Sequence, residues 1–458
     1  MLYKFTPSEA GSYWWHSHEN TQYVDGLRGP LIILNRPELQ QPGEAVDCEY
    51  TVELTDWYHQ QAAVLLRDMM DPIKNPGGNE PVWDTVLINN RGRFDCSKIP
   101  LSTTPELPCT NYQPLSRFRF KRGRRYRFRL INVAAFAAFD FSIDNHEFRV
   151  VAADGLLVKT SPLINSIRVN VGMRYDIIVE ARPQGVGQHM PPRSFWMRAT
   201  SLFGGPWTSL PINMFPVGFN PNGLAIIDYN EAKGEPMTSP WIVKKTIGEL
   251  DVKPLHPAKL PLLPDTRIIA EFTMTSTLEN PVTLGYFSIN GRPLSTFVMP
   301  DKPTLFEVAK GVPTSSLPSS SNAVAVGFRK LVELVLVNKD AGEHPFHMHG
   351  HPTWVLGAGN MPNAQSTPTG LNLFDPPLRD GYTMPGCTVD AGGSCVDVGY
   401  VVLRFRTDNP GVWMLHCHID WHLATGLAML IVEAEEELQK QDPSQFKSVE
   451  KQTCSGMY

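Results

Sequence analysis

Apolar residues recur at every second position in short runs throughout this chain, and they almost never recur at helical spacing. Tyr126-Arg-Phe-Arg-Leu-Ile and Phe148-Arg-Val-Val show the pattern, and Asp176-Ile-Ile-Val-Glu and Leu331-Val-Glu-Leu-Val-Leu-Val are short apolar runs of similar length. A period of two places alternate side chains on opposite faces of a strand, so these runs read as antiparallel β. Forty prolines and 35 glycines punctuate them, as turns between short strands require. The best helical pattern, Glu433 to Gln441, lies near the end. The reading is therefore all-β, with stacked sandwiches or barrels and minor helices.

A length of 458 residues with 42% hydrophobic content suits two or three packed domains. A Pro-rich stretch from about Pro236 to Pro264 has little periodicity and separates two strand-rich halves. A second break falls near Asn35-Arg-Pro-Glu-Leu-Gln-Gln-Pro-Gly. The segment before it is too short for a β-sandwich, which usually needs about 100 residues. The expected division is a partial domain at 1–38, a complete one at 45–230, a linker at 231–264 and a second complete domain at 265–458.

The 41 basic and 46 acidic residues are dispersed, giving a formal charge of −5, which points away from a nucleic-acid partner. No apolar stretch approaches the roughly 20 residues that cross a bilayer, and the start, MLYKFTPSEAG, lacks the regions of a signal peptide. Of seven cysteines, Cys96 with Cys109 and Cys387 with Cys395 lie in loop-type sequence and read as two local disulfides. Pairing of Cys48 with Cys454 stays open. Disulfides imply an oxidising compartment. The absence of any Asn-x-Ser/Thr sequon weighs the other way for a secreted protein.

Nine of the thirteen histidines fall in three clusters: His16-Ser-His18, His344-Pro-Phe-His-Met-His-Gly-His351 and His416-Cys-His-Ile-Asp-Trp-His422. Imidazole and thiolate donors together suit copper or zinc. With no C-x-x-C pair to build a structural zinc site, copper fits better. On a strand, His416 and His418 face one side and Cys417 the other, so a thiolate on one metal would be joined through its own backbone to ligands of another centre. The pairs His16/His18 and His347/His349 share the same spacing, leaving His344 for the thiolate site.

These residues resemble the multicopper oxidase family, and fungal laccases within it. The resemblance rests on Tyr13-Trp-Trp-His-Ser-His, Thr21-Gln-Tyr-Val-Asp-Gly-Leu-Arg-Gly-Pro, the two His-rich motifs and Asn409-Pro-Gly-Val-Trp. Leu54-Thr-Asp-Trp-Tyr-His, Phe128-Arg-Leu-Ile-Asn-Val and Arg174-Tyr-Asp extend it through the middle of the chain. It implies tandem cupredoxin-like Greek-key β-sandwich domains, one partial and two complete. It also implies a secreted monomer that takes electrons from a small aromatic substrate and passes them to dioxygen.

By the same resemblance His344, Cys417 and His422 bind a type 1 copper, with Leu427 at the axial position. A leucine offers no ligand atom there and favours a higher potential than methionine would. His16, His18, His349, His416 and His418 match type 3 ligands, His347 a type 2 ligand, and Asp420 an acidic position assisting proton delivery. His59, His146, His189 and His256 lie outside the pattern and read as packing, capping or surface residues. His351 reads as structural.

The chain departs from the family in three places. An H-W-H-G motif that supplies two further histidines upstream of His16 is not in the sequence, which suggests a fragment or incomplete gene model. Phenol-oxidising members often carry a carboxylate where Pro162-Leu-Ile-Asn165-Ser-Ile has an amide, and the acid of iron oxidases is replaced by Thr160. Two alternatives to a laccase-like oxidase follow: a non-catalytic blue-copper protein, or a ferroxidase-type metal oxidase. The latter would be favoured by carboxylates ringing the His422 edge.

Overall fold

The computed structural model describes residues 5–7, 9–34, 45–98, 109–182, 193–202, 215–229, 234–275 and 282–441. Strands account for 41% of the structure and helices for 9%, so the all-β expectation holds. The chain divides into two compact units. The first takes the chain up to residue 258, together with 375–383 and 418–421. The second takes 259–374, 384–417 and the residues from 422 on.

The first unit begins with an antiparallel pair, β1 (Gly11–His16) and β2 (Arg28–Ile33). Strands β3 (Cys48–Trp57), β4 (Thr85–Ile88), β6 (Arg125–Asn132), β8 (Phe148–Ala153), β9 (Leu156–Leu157) and β11 (Arg174–Glu180) form one sheet, ordered β4-β3-β6-β11-β8-β9. Strands β5 (Arg117–Phe120), β7 (Ala138–Ile143), β10 (Ser166–Val169), β12 (Ser194–Leu202) and β13 (Asn222–Tyr229) form the other, ordered β10-β7-β12-β13-β5. The sequence period explains the layering. In β5, Arg117 and Arg119 are exposed while Phe118 and Phe120 are buried, and Tyr126 and Phe128 of β6 meet them from the other sheet. Burying each such ring contributes about 1.5–3 kcal/mol. One helix, α1 (Ala62–Met69), follows β3.

Strand β1 is fastened to the sandwich by buried polar contacts. Ser12 donates to Asp176 at 2.6 Å, Arg129 donates to both at 3.0 and 2.9 Å, and Arg174 donates to the Ser12 carbonyl at 3.1 Å. The 375–383 segment carries β20 (Leu378–Arg379) and most of β21 (Gly381–Met384), and is held by Asp380 on Arg174 and by Arg379 on Asp154. Between residues 234 and 258 no strand forms beyond an isolated bridge at Pro254. That stretch is clasped to β7 and its surroundings by Thr238 to Asp144, Trp241 to the Ile143 carbonyl, and Asn165.

The second unit is again a sandwich. One sheet runs β15 (Leu284–Ile289), β14 (Thr266–Thr275), β17 (Leu331–Asn338), β22 (Val398–Arg406), β19 (Thr353–Met361). The other runs β16 (Ala323–Val326), β24 (Ala428–Glu433), β23 (Gly411–Cys417), β18 (His344–Met348). Strand β17 is buried along its whole length, as a central strand should be. Short helices α2 (Thr304–Ala309) and α4 (Glu435–Gln439) complete the unit, with α3 (Asp420–Ala424) carrying the end of the last histidine motif. The helix expected from Glu433 begins two residues later. Glu433 instead ends β24 with its carboxylate buried on His351 and on the Asn409 amide.

The disulfides Cys96–Cys109 and Cys387–Cys395 are present, with Cα separations of 5.8 and 5.6 Å. Cys48 is exposed and unbonded, and Cys454 lies outside the described residues. Among the described residues no helix is long and apolar enough to cross a membrane.

Candidate metal centre

Strands β18 and β23 are antiparallel neighbours with Phe346 opposite Cys417 and His347 opposite His416. This register sends His416 and Cys417 to different groups. Cys417 joins His344, at the start of β18, and His422 of α3. Its Sγ lies 3.6 Å from His344 Nδ1 and 3.4 Å from His422 Nδ1, and the two nitrogens are 3.1 Å apart. All three side chains are buried.

The local chain is built to hold this triangle. Cys417 donates its amide to the Leu427 carbonyl at 3.1 Å, and Leu427 donates to the His422 carbonyl at 2.9 Å, closing the loop from 417 to 427. Gly426, at φ +99, is indispensable there, because a Cβ would fall 2.2 Å from Thr296 Cγ2.

Charge within the triangle is tuned by its neighbours. Burial alone pushes the Cys417 thiol up, but the imidazoles of His422 and His344 outweigh it and bring it down to about 7. His344 Nε2 lies 3.1 Å from Asp340 Oδ2. Burial disfavours a charged His344, yet the Asp340 and Cys417 partners raise it above the ordinary histidine range. Burial likewise works against an ionised Asp340, and its hydrogen bonds to His344 and to the Gly342 amide hold it below the ordinary carboxylate range. Asp340 is a functional neighbour that sequence reasoning missed. Its only signal was a turn-forming Lys339-Asp-Ala-Gly four residues before a ligand-type histidine.

The donor set fits copper. Two imidazoles and a thiolate at these separations leave the centre of the triangle roughly 2 Å from each donor, a bond length typical of first-row metals to nitrogen and sulfur. Leu427 is fully buried and brings no donor atom.

Two further groups of histidines form, one in each unit. In the second unit His347, His349 and His416 have ring centroids 4.9, 5.9 and 5.2 Å apart, with His349 Nε2 at 3.1 Å from His416 Nε2. In the first unit His16 lies 4.3 Å from His18 and 5.3 Å from His418, with Trp14 stacked on His16 at 4.1 Å. Gly172, at φ +77, lets His418 approach, since a Cβ would lie 2.4 Å from its ring.

Asp420 is buried, and its amide donates to the Ala135 carbonyl at 2.9 Å. Burial raises its carboxyl well above the ordinary range, and the nearby Asp56 adds to this. Asp56, also missed in the sequence, accepts the amides of Ala135, Phe136 and Ala137 at 2.8–3.0 Å.

The remaining histidines are accounted for as follows. His351 is buried against Glu433 at 2.5 Å, His146 is buried in the aromatic core, and His59 and His256 are exposed. His189 lies outside the described residues. Asn165 is fully buried, its amide engaged by the Val243 carbonyl and the Lys245 amide. It serves as a clasp rather than a group free to meet substrate.

Comparison with known proteins points to one family. Multicopper oxidase domain families match residues 1–38, 48–232 and 297–437. Laccase-2 of Fomitopsis schrenkii is 34% identical over 452 residues, covering 96% of this chain and 74% of that protein. The iron transport multicopper oxidase FET3 of Kluyveromyces lactis is 29% identical, covering 100% and 66%. The crystal structure of laccase from Botrytis aclada superposes with a TM-score of 0.77 at 26% identity, covering 99% of this chain and 75% of that one. The chain belongs to the multicopper oxidase family. Within that family it is a laccase-like oxidoreductase with copper as its cofactor, and its sandwiches are cupredoxin-like.

Proposed function

We propose that this protein oxidises phenols or aromatic amines one electron at a time, and that the electrons reduce dioxygen to water at the remaining histidines. The buried triangle of His344, Cys417 and His422 carries this reading. Copper held there supplies a one-electron acceptor that needs no covalent bond to substrate.

The chain's own groups do the rest. A Cys417 thiol brought down to about 7 gives up its proton easily on ligation. Asp340, bonded to His344 Nε2, leaves Nδ1 as the ligating nitrogen and fixes the ring. Leu427, buried and bonded through its carbonyl to the Cys417 amide, would offer no donor atom to a copper held there. The backbone joins Cys417 directly to His416 and His418, so it would link a copper held at the triangle to those histidines. We assign His16, His18, His349, His416 and His418 as type 3 ligands and His347 as a type 2 ligand, on the strength of their motifs. We assign Asp420, whose carboxyl is pushed up by burial and by Asp56, to the proton supply for oxygen reduction. The two disulfides favour an extracellular location.

One observation favours a second reading. Asp340, a carboxylate with some exposure, touches the imidazole edge of the triangle on the His344 side, where a ferrous ion could be held. Oxygen uptake by the copper-loaded protein separates the two. A phenol consumed at about four molecules per dioxygen, with little uptake from ferrous salt, supports the laccase-like reading. Preference for ferrous ion, lost in Asp340→Asn, would replace it with a ferroxidase.

A further inference from the structure

A cleft of about 890 Å³ opens in the first unit between the β4 hairpin and the segment 109–114. None of the proposed copper ligands lines it. That volume lies in the range of small-molecule sites. Its apolar lining includes the aromatic Trp57 and Phe94 alongside Leu87 and Pro114, and the His59 ring stands edge-on to Phe94 at 4.6 Å. Among the described residues, Arg91 and Arg93 are the cationic side chains lining it, His59 lies beside them, and no carboxylate does.

The walls are pre-formed. Asn89 and Asn90, at φ 51 and 57, make the two-residue mirror-image turn that returns the chain as a bridge between Ile88 and Arg91, delivering Arg91 to the cleft. Across from it, the Cys96–Cys109 disulfide, the Cys96 amide on Asn111 and Arg93 Nε on the Gln113 carbonyl fasten the 109–114 wall. Arg93 is further held by Glu235 at 2.6 Å, and His59 faces Asp84. Arg91 lines the cleft, is exposed, and has one long side-chain contact, 3.4 Å to the Pro114 carbonyl, which leaves most of its five N–H donors to solvent.

We propose that this cleft binds aromatic carboxylates. The ring lies against Trp57 and Phe94, and the carboxylate takes a charge-assisted hydrogen bond from Arg91. Two aromatic side chains and two guanidinium groups, with no carboxylate among the described lining residues, favour an aromatic anion over a neutral sugar or a cation.

The test is calorimetric titration of the copper-loaded full chain with benzoate, benzyl alcohol, cyclohexanecarboxylate and cellobiose, repeated on Arg91→Gln. Benzoate is expected to bind saturably. Benzyl alcohol, lacking the charge, and Arg91→Gln, lacking its partner, are each expected to weaken binding about tenfold. Cyclohexanecarboxylate is expected to bind less tightly than benzoate. Turnover of a neutral phenol and the Tm of Arg91→Gln are expected to match the unaltered protein. No saturable benzoate binding, equal affinity in Arg91→Gln, or preference for cellobiose would overturn the proposal. So would a fall in Tm or turnover in the variant that matches its loss of binding, because Arg91 would then be structural.

Discussion

Asp340 and His146 show how single neighbours set the behaviour of buried imidazoles. Asp340→Asn removes the carboxylate that holds His344 through Nε2 and leaves Nδ1 as the ligating nitrogen. Losing such a partner is expected to cost roughly 10–100-fold in copper affinity at the Cys417 site, read by competition with a chelator. His146 is the opposite case. Its Nδ1 donates to the Asp144 carbonyl at 2.8 Å and its Nε2 accepts from Tyr229 at 2.7 Å, and burial brings it down to about 4. A folded value below the unfolded one, near 6.5, means its contribution is complete above pH 6.5 and is lost as pH falls toward 4. That loss amounts to about 3 kcal/mol, and denaturation midpoints across this window should show it. His146→Gln should show a flatter dependence there. From sequence His146 reads only as a packing, capping or surface residue and the Asp340 contact is not read at all, because each ring's partners depend on what burial brings beside it.

At the scale of elements, the strands were the most legible feature. Runs such as Arg125–Asn132 and Leu331–Asn338 carry their period, or their continuous apolarity, in the sequence itself. The histidine motifs were legible for the same reason, since spacing along a strand decides which side chains share a face. What was not legible came from distant pairings. Asn165 was expected at a substrate position, yet its partners Val243 and Lys245 lie some 80 residues away and make it a clasp. Glu433 was assigned to a helix because the acidic run after it is helical, while its own side chain answers to His351. The turn at Gly172 gives a direct test of element geometry. Gly172→Ala should cost about 1–2 kcal/mol for its positive φ alone, with the clash against His418 in addition. Denaturation of the variant should show the loss, and its copper content should fall through the His418 position while the blue thiolate band persists.

For the whole molecule, the central claim is that a thiolate site made by His344, Cys417 and His422 takes electrons from substrate on behalf of a laccase-like oxidase. Folding brings together residues 73 and 78 positions apart to make that triangle, so the site is also a report on the second unit's native state. The most direct measurement compares the visible spectrum and phenol-driven oxygen uptake of the copper-loaded chain with those of Cys417→Ser. The account predicts a blue thiolate band and oxygen uptake in the unaltered protein, and loss of both in the variant without loss of folded structure. A blue band that survives in Cys417→Ser, or phenol-driven uptake undiminished by the substitution, would contradict it.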